Sequence, residues 1–182
     1  MATAARDDIR LPAPTECPEM PRPKSPYVGL RAFKAEERVL FRGREQDASL
    51  LKDQILAARV SVLYGRSGLG KTSLLQALVI PEVERNNAYV LKFDEWSQKD
   101  PVEALVHAVE QFAVENGVEL RTREPSSRLV DVVREFASLS GKTIVLVLDQ
   151  LEELLVKRAG NVNDIRKELG SVIRATKVSH LR

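Results

Sequence analysis

Apolar residues recur along this chain in two rhythms: short unbroken runs, and stripes at helical spacing. Val60, Val62, Leu63 and Tyr64 form a β-prone run, predicting a first strand. Leu74, Leu75, Leu78 and Val79 then recur at helical spacing, and Pro81 is expected to stop that helix. AYVLKF at Ala88–Phe93 predicts a second strand. TIVLVL at Thr143–Leu148 predicts a third; its unbroken apolar character suits a central parallel strand buried on both faces. Helical spacing predicts four more helices. One runs from Arg44 to Ala58, with Ala48, Leu51, Ile55 and Ala58 on one face. The next starts at Asp100 and Pro101, N-cap and first helical residue, carries Val102, Leu105, Val106, Val109 and Phe112, and stops at Gly117. Another spans Ser127 to Leu139, with Leu129, Val133 and Phe136 inward and Gly141 ending it. The last covers Asn163–Lys177, with Ile165, Leu169, Val172 and Ile173. Strands and helices alternate, which predicts an α/β fold with right-handed crossovers and a parallel sheet. Ligands in such sheets bind at the carboxyl ends of the strands.

The pattern fails only at the N-terminus. Residues 1–26 hold six of the nine prolines and almost no large apolar residue, and read as a disordered tail. Folded sequence is expected over residues 27–182, beginning with an ordered arm, PYVGLRAFKAEERVLFRGRE. The length of 182 residues suits one domain, and 43% hydrophobic with 30% charged residues is ordinary for a globular protein. A net charge of +2 gives no global pull toward nucleic acid or membrane. The last 26 residues carry seven Lys/Arg against two Asp/Glu, read as a solvated helix face and not as a nucleic-acid patch. The single cysteine, Cys17, excludes an internal disulfide. Arg6, Asp7, Asp8 and Arg10 stand where a signal peptide would be apolar, and no run has membrane-spanning length, so a cytoplasmic protein is expected.

Chemistry concentrates between the first strand and the first helix. Gly65-Arg66-Ser67-Gly68-Leu69-Gly70-Lys71-Thr72 matches G-x-x-x-x-G-K-[ST], and Ser73 follows it. A nucleoside triphosphate brings several negative charges into a partly dry site. Backbone N–H groups aimed at its oxygens compensate that charge without the entropic cost of ordering long side chains. Such a nest needs conformations that a Cβ obstructs, hence Gly65, Gly68 and Gly70. The helix beginning near Gly70 adds free N–H groups and its positive dipole end. Lys71 supplies a mobile positive charge for the β- and γ-phosphates, and the Thr72 hydroxyl is placed to coordinate Mg²⁺.

The third strand ends in Asp149-Gln150-Leu151-Glu152-Glu153. An aspartate at the tip of a buried strand can reach Mg²⁺ beside the phosphate loop, which makes Asp149 the metal residue. A nearby glutamate can polarise the attacking water; Glu153 is favoured over Glu152 by a small margin. The bland alternative is that both glutamates merely favour the start of a helix. His107 lies on the polar side of its helix, His180 is near the end, and no Cys or His has zinc spacing. Trp96 reads as a packing residue. Three functions compete: a slow regulatory ATPase, a nucleotide-dependent assembly module that does not hydrolyse, and a small-molecule kinase. The kinase ranks last. It must exclude water with a lid, and Arg121, Arg123 and Arg128, which could imitate one, flank a predicted helix start.

With these motifs in order, the chain resembles the bacterial STAND-class P-loop NTPases of the novel STAND NTPase type-1 group. The likeness rests on SPYVGLRAF at Ser25–Phe33, LFRGRE at Leu40–Glu45, LYGRSGLGKTSLL at Leu63–Leu75 and LVLDQLEEL at Leu146–Leu154; KFDEW at Lys92–Trp96 is also similar. The resemblance implies an additional-strand P-loop domain related to AAA+ and NACHT modules, a three-layer α/β/α parallel sheet. It implies that Phe41, Arg42, Gly43 and Arg44 line an adenine pocket; the bland reading of Arg42 and Arg44 is a solvated basic cap on a helix start. It implies an ATP/ADP switch with slow Mg²⁺-dependent hydrolysis, self-association on ATP binding, and sensor-repeat and effector domains as partners. In the family a sensor strand would follow Arg182 and lie between the phosphate-loop strand and the acidic strand. The chain is therefore expected to be truncated before its sensor strand, poorly stable alone, and a weak nucleotide binder.

Overall fold

The computed structural model describes residues 29, 31–121, 128–153 and 162–175. The expected tail over 1–26, the chain's end with His180, and Arg123 lie outside the described residues. A 3-10 helix over Ala35–Leu40 leads into helix α1, Glu45–Ala57. Helix α2, Lys71–Leu74, runs without a break through a π-helical turn, Leu75–Val79, into α3, Ile80–Glu84. Pro81 therefore does not end this helix, contrary to the expectation from sequence. It falls in the first turn of α3, directly after the widened π turn, where a missing N–H and a fixed φ are tolerated.

Strand β1, Ala88–Phe93, pairs in parallel with strand β2, Thr143–Leu148. Between them come α4, Pro101–Glu115, and α5, Leu129–Ser140. Asp100 caps α4, its carboxylate accepting the amides of Val102 and Glu103 at 3.0 and 3.1 Å. Helix α5 starts at Leu129, two residues after the expected start, and no side chain of its own caps it. Glu168 does this from helix α6, Val162–Ala175: its Oε2 accepts the Leu129 amide at 3.1 Å, placing negative charge at the helix N-terminus. Gly141 ends α5 in the left-handed region, φ +64°, as the sequence predicts.

The period-2 geometry of the strands sorts their side chains onto two faces. Tyr89, Leu91 and Phe93 with Ile144, Leu146 and Leu148 meet α4, α5 and α6 in one apolar cluster. There Tyr89 stacks on Phe136 at 5.4 Å and Phe112 meets Phe136 edge-on at 6.1 Å. Ala88 and Val90 with Val145 and Val147 face the other way, against Leu74, Ala77, Leu78, Val79 and α1. Helices thus cover both sides of the sheet.

The sheet differs from the expected one in its width. Among the described residues it holds two strands, β1 and β2. Val60–Tyr64, predicted as the strand before the phosphate loop, forms no strand. Val62 is 75% and Tyr64 89% exposed. The run has β-prone side chains but, among the described residues, no backbone partner for its amides and carbonyls, and β-propensity expresses itself only in a paired, half-buried surface. The three-layer sheet expected from the resemblance is therefore represented here by a two-strand sheet with helices on both faces.

Candidate functional site

The loop Gly65–Gly70 is held by its two later glycines. Gly68 has φ +81° and Gly70 φ +75°, left-handed conformations that a side chain would strain. Gly70 is the N-cap of α2 and offers no capping side chain, leaving the first helical N–H groups open to an anion. A Cβ on Gly70 would lie 3.9 Å from the Phe41 ring, and Phe41 packs on Phe33 at 5.3 Å. Gly65 to Leu69 are all exposed. Lys71 bends back across the loop, its Nζ donating to the carbonyls of Gly65 at 2.8 Å and Arg66 at 3.1 Å. An ammonium whose partners among the described residues are these loop carbonyls can turn to phosphate oxygens, which bind it more strongly.

Thr72 and Asp149 meet although 77 residues separate them: the Thr72 hydroxyl donates to Asp149 Oδ2 at 3.3 Å. Strand β2 carries Asp149 to this point, and its amide donates to the Phe93 carbonyl at 2.9 Å, one residue past the ladder. Gln150 follows in the left-handed region at φ +56° and turns the chain away; its amide donates to Asp149 Oδ1 at 3.0 Å. A hydroxyl and a carboxylate converging at a helix N-terminus form a hard oxygen donor set, which suits Mg²⁺. Among the described residues no group of three or more His, Cys, Asp or Glu gathers as a metal cluster.

The other predicted residues fall around this centre. Ser73 is 8% exposed, and its hydroxyl accepts the Phe33 amide at 3.2 Å, so its side chain anchors the N-terminal arm. Arg44 pairs with Asp47 and reaches the Leu69 carbonyl at 3.4 Å, which ties the F-R-G-R stretch to the loop. Arg42 caps its own turn through the Val39 carbonyl at 2.9 Å. Gly43 is exposed with φ +82°. Glu152 is exposed; Glu153 is half-buried, and its amide closes the turn on the Gln150 carbonyl at 2.9 Å.

Neither Lys92 nor Trp96 was assigned to this centre from sequence. Lys92 sits on the α2 side of β1 and pairs with both Asp94 and Asp149, the latter at 3.3 Å. Partial burial alone pulls its ammonium down, but the bond to Asp94 and the two carboxylate charges outweigh this and hold it above the usual lysine value. Trp96 is buried as expected, edge-on to Phe93 at 4.8 Å. Its indole N–H also donates to the Asp149 carbonyl at 2.6 Å, a contact that packing arguments do not reveal. The signal available in the sequence was KFDEW itself, a lysine and an aspartate at the carboxyl end of a strand neighbouring the acidic one.

A glycine-built loop that opens a helix and faces a carboxylate at the end of a parallel strand is the arrangement expected of a P-loop NTPase. Residues 26–180 match the family model described as Novel STAND NTPase 1, and the chain belongs to that family. Neither the curated proteins nor the solved structures give a significant match. No helix among the described residues is long and apolar enough to cross a membrane.

Proposed function

We propose that the chain is the ATP-binding module of a signal-transduction switch, with slow Mg²⁺-dependent hydrolysis in the complete protein. The observation that carries this reading is the 3.3 Å approach of Thr72 to Asp149 directly after the cradle. It brings to one point two oxygen donors of the kind a metal–triphosphate site would need. Gly65–Gly70 would wrap the phosphates with backbone N–H groups, and Lys71 would leave the loop carbonyls to neutralise phosphate charge. Thr72 and Asp149 would hold Mg²⁺, which supplies Lewis-acid stabilisation of charge on the transferring phosphoryl group. Phe41, Arg42, Gly43 and Arg44 are proposed for the adenine side, supported by Phe41 beneath Gly70 and Arg44 on Leu69. An additional-strand sheet, with a further strand beside Val60–Tyr64, belongs to the same proposal, as do ATP-driven self-association and sensor and effector partners.

Glu153 is proposed as the residue that polarises the attacking water, because it is half-buried one turn beyond Asp149 while Glu152 points to solvent. Glu153→Gln is expected to retain ATP binding and to lower hydrolysis by about 100-fold or more, read as phosphate release under single-turnover conditions. Loss of hydrolysis in Glu152→Gln instead would reassign the base. Absence of hydrolysis in the unmutated complete protein, with binding intact, would favour the non-hydrolysing assembly module.

A further inference from the structure

KFDEW at Lys92–Trp96 takes no part in the cradle, yet its residues converge on Asp149. The Asp149 backbone is clamped at both ends: its amide donates to the Phe93 carbonyl at 2.9 Å, and its carbonyl accepts the Trp96 indole at 2.6 Å. Its carboxylate is shared. Oδ1 accepts the Gln150 amide at 3.0 Å. Oδ2 accepts the Thr72 hydroxyl at 3.3 Å, and the Lys92 ammonium stands 3.3 Å from the same oxygen. Asp94 holds Lys92 from its other side.

We propose that Lys92 is the resident counter-cation of Asp149, exchanged for the divalent cation when nucleotide loads, with Asp94 retaining the ammonium after the exchange. This rests on reading the cradle as a metal–nucleotide site. Oδ2 is the carboxylate oxygen turned toward Thr72, so it is the one a metal shared with Thr72 would use, and Lys92 already stands on it. An ammonium and a divalent cation on one oxygen repel each other, and the Gln150 amide on Oδ1 holds the carboxylate in its present orientation. Lys92 has the freedom Asp149 lacks: a flexible four-carbon stem, and a second carboxylate already bound. Without metal, Lys92 keeps Asp149 neutralised and aligned on Thr72. That alignment comes with a competition that raises the Mg²⁺ concentration at which nucleotide binds. Lys92 is thus a positioning residue that sets the metal requirement of the site.

The test titrates Mg²⁺ against binding of N-methylanthraniloyl-labelled ATP, read by fluorescence, in the full chain. Lys92→Met, similar in shape but uncharged, is expected to lower the Mg²⁺ midpoint about three- to fivefold. Asp94→Asn, which leaves Lys92 to Asp149 alone, is expected to raise it about twofold. A lowered midpoint in Lys92→Met together with a raised one in Asp94→Asn supports the exchange. A Mg²⁺-dependent wild type with an unmoved or raised midpoint in Lys92→Met overturns it while the nucleotide reading stands. No binding by the wild type at any Mg²⁺ concentration overturns the nucleotide reading and this inference with it. Should Lys92→Met fail to fold, Asp94→Asn decides alone, and an unmoved or lowered midpoint there overturns the exchange.

Discussion

Asp149 shows how much one residue's placement depends on groups that are not its chemical partners. Thr72 meets its side chain, but Phe93 and Trp96 fix its backbone. Trp96→Phe keeps a buried six-membered ring but removes the pyrrole ring with its N–H, taking away the partner that the Asp149 carbonyl has among the described residues. The expected cost is about 1–3 kcal/mol in a denaturant melt. A larger effect on Mg²⁺-dependent nucleotide binding than on stability would add a direct role in aligning Asp149. An unchanged melt would show that the 2.6 Å contact contributes nothing. A second residue-scale expectation concerns Glu37, where the arm enters its 3-10 helix. The bonded Arg31 guanidinium, then the Lys34 amide, hold its carboxyl down from 4.5 to about 2. A depressed carboxylate stabilises the fold above its unfolded value, and that contribution is lost as pH falls. The Arg31–Glu37 contact should therefore be complete above about pH 4.5 and lost toward pH 2. A carboxyl NMR titration with a midpoint near 2 is the expected result, and an ordinary glutamate midpoint would contradict it.

At the scale of elements, α4 is the one whose start is written most plainly in the sequence. Asp100 and Pro101 mark it, and the structure has the Asp100 carboxylate on two helix amides. Asp100→Ala should cost about 1 kcal/mol, measured as a lowered urea midpoint with unchanged slope. Much of the remaining secondary structure was equally legible. β1 and β2 have the predicted limits, and α1, α4 and α5 fall within two residues of theirs, because unbroken apolar runs mark the strands and period-3.6 stripes mark the helices. Two elements were not legible, each for a physical reason. Pro81 reads as a stop when the helix is assumed to be regular; a π turn ahead of it removes that assumption. Val60–Tyr64 reads as a strand because its side chains favour one, but a side-chain pattern carries no information on which backbone will pair with it. The convergence of Thr72 on Asp149 could be expected from sequence because the proposed chemistry asks for these residue types at fixed spacing. That of Lys92 could not, since a lysine near a strand end is ordinary until the neighbouring strand is known.

For the whole molecule, the two-strand sheet acts as a partition with a division of labour. Its α4–α5–α6 side is an apolar core with stacked aromatics, contributing stability. Its other side carries the α2–α3 helix, and the carboxyl ends of both strands bring Lys92 and Asp149 to the start of that helix. Site and core thus share β1 and β2, and nucleotide binding should stabilise the fold through the same two strands. The central claim is that Gly65–Thr72 is a working phosphate cradle with Lys71 as its mobile charge. Its most direct test is a calorimetric titration of ATP with Mg²⁺ into the wild type and Lys71→Ala. Saturable binding by the wild type is expected, weakened about 10- to 100-fold in Lys71→Ala as a charge-assisted contact is lost. Equal affinity in the two proteins, or no binding by the wild type, would contradict it.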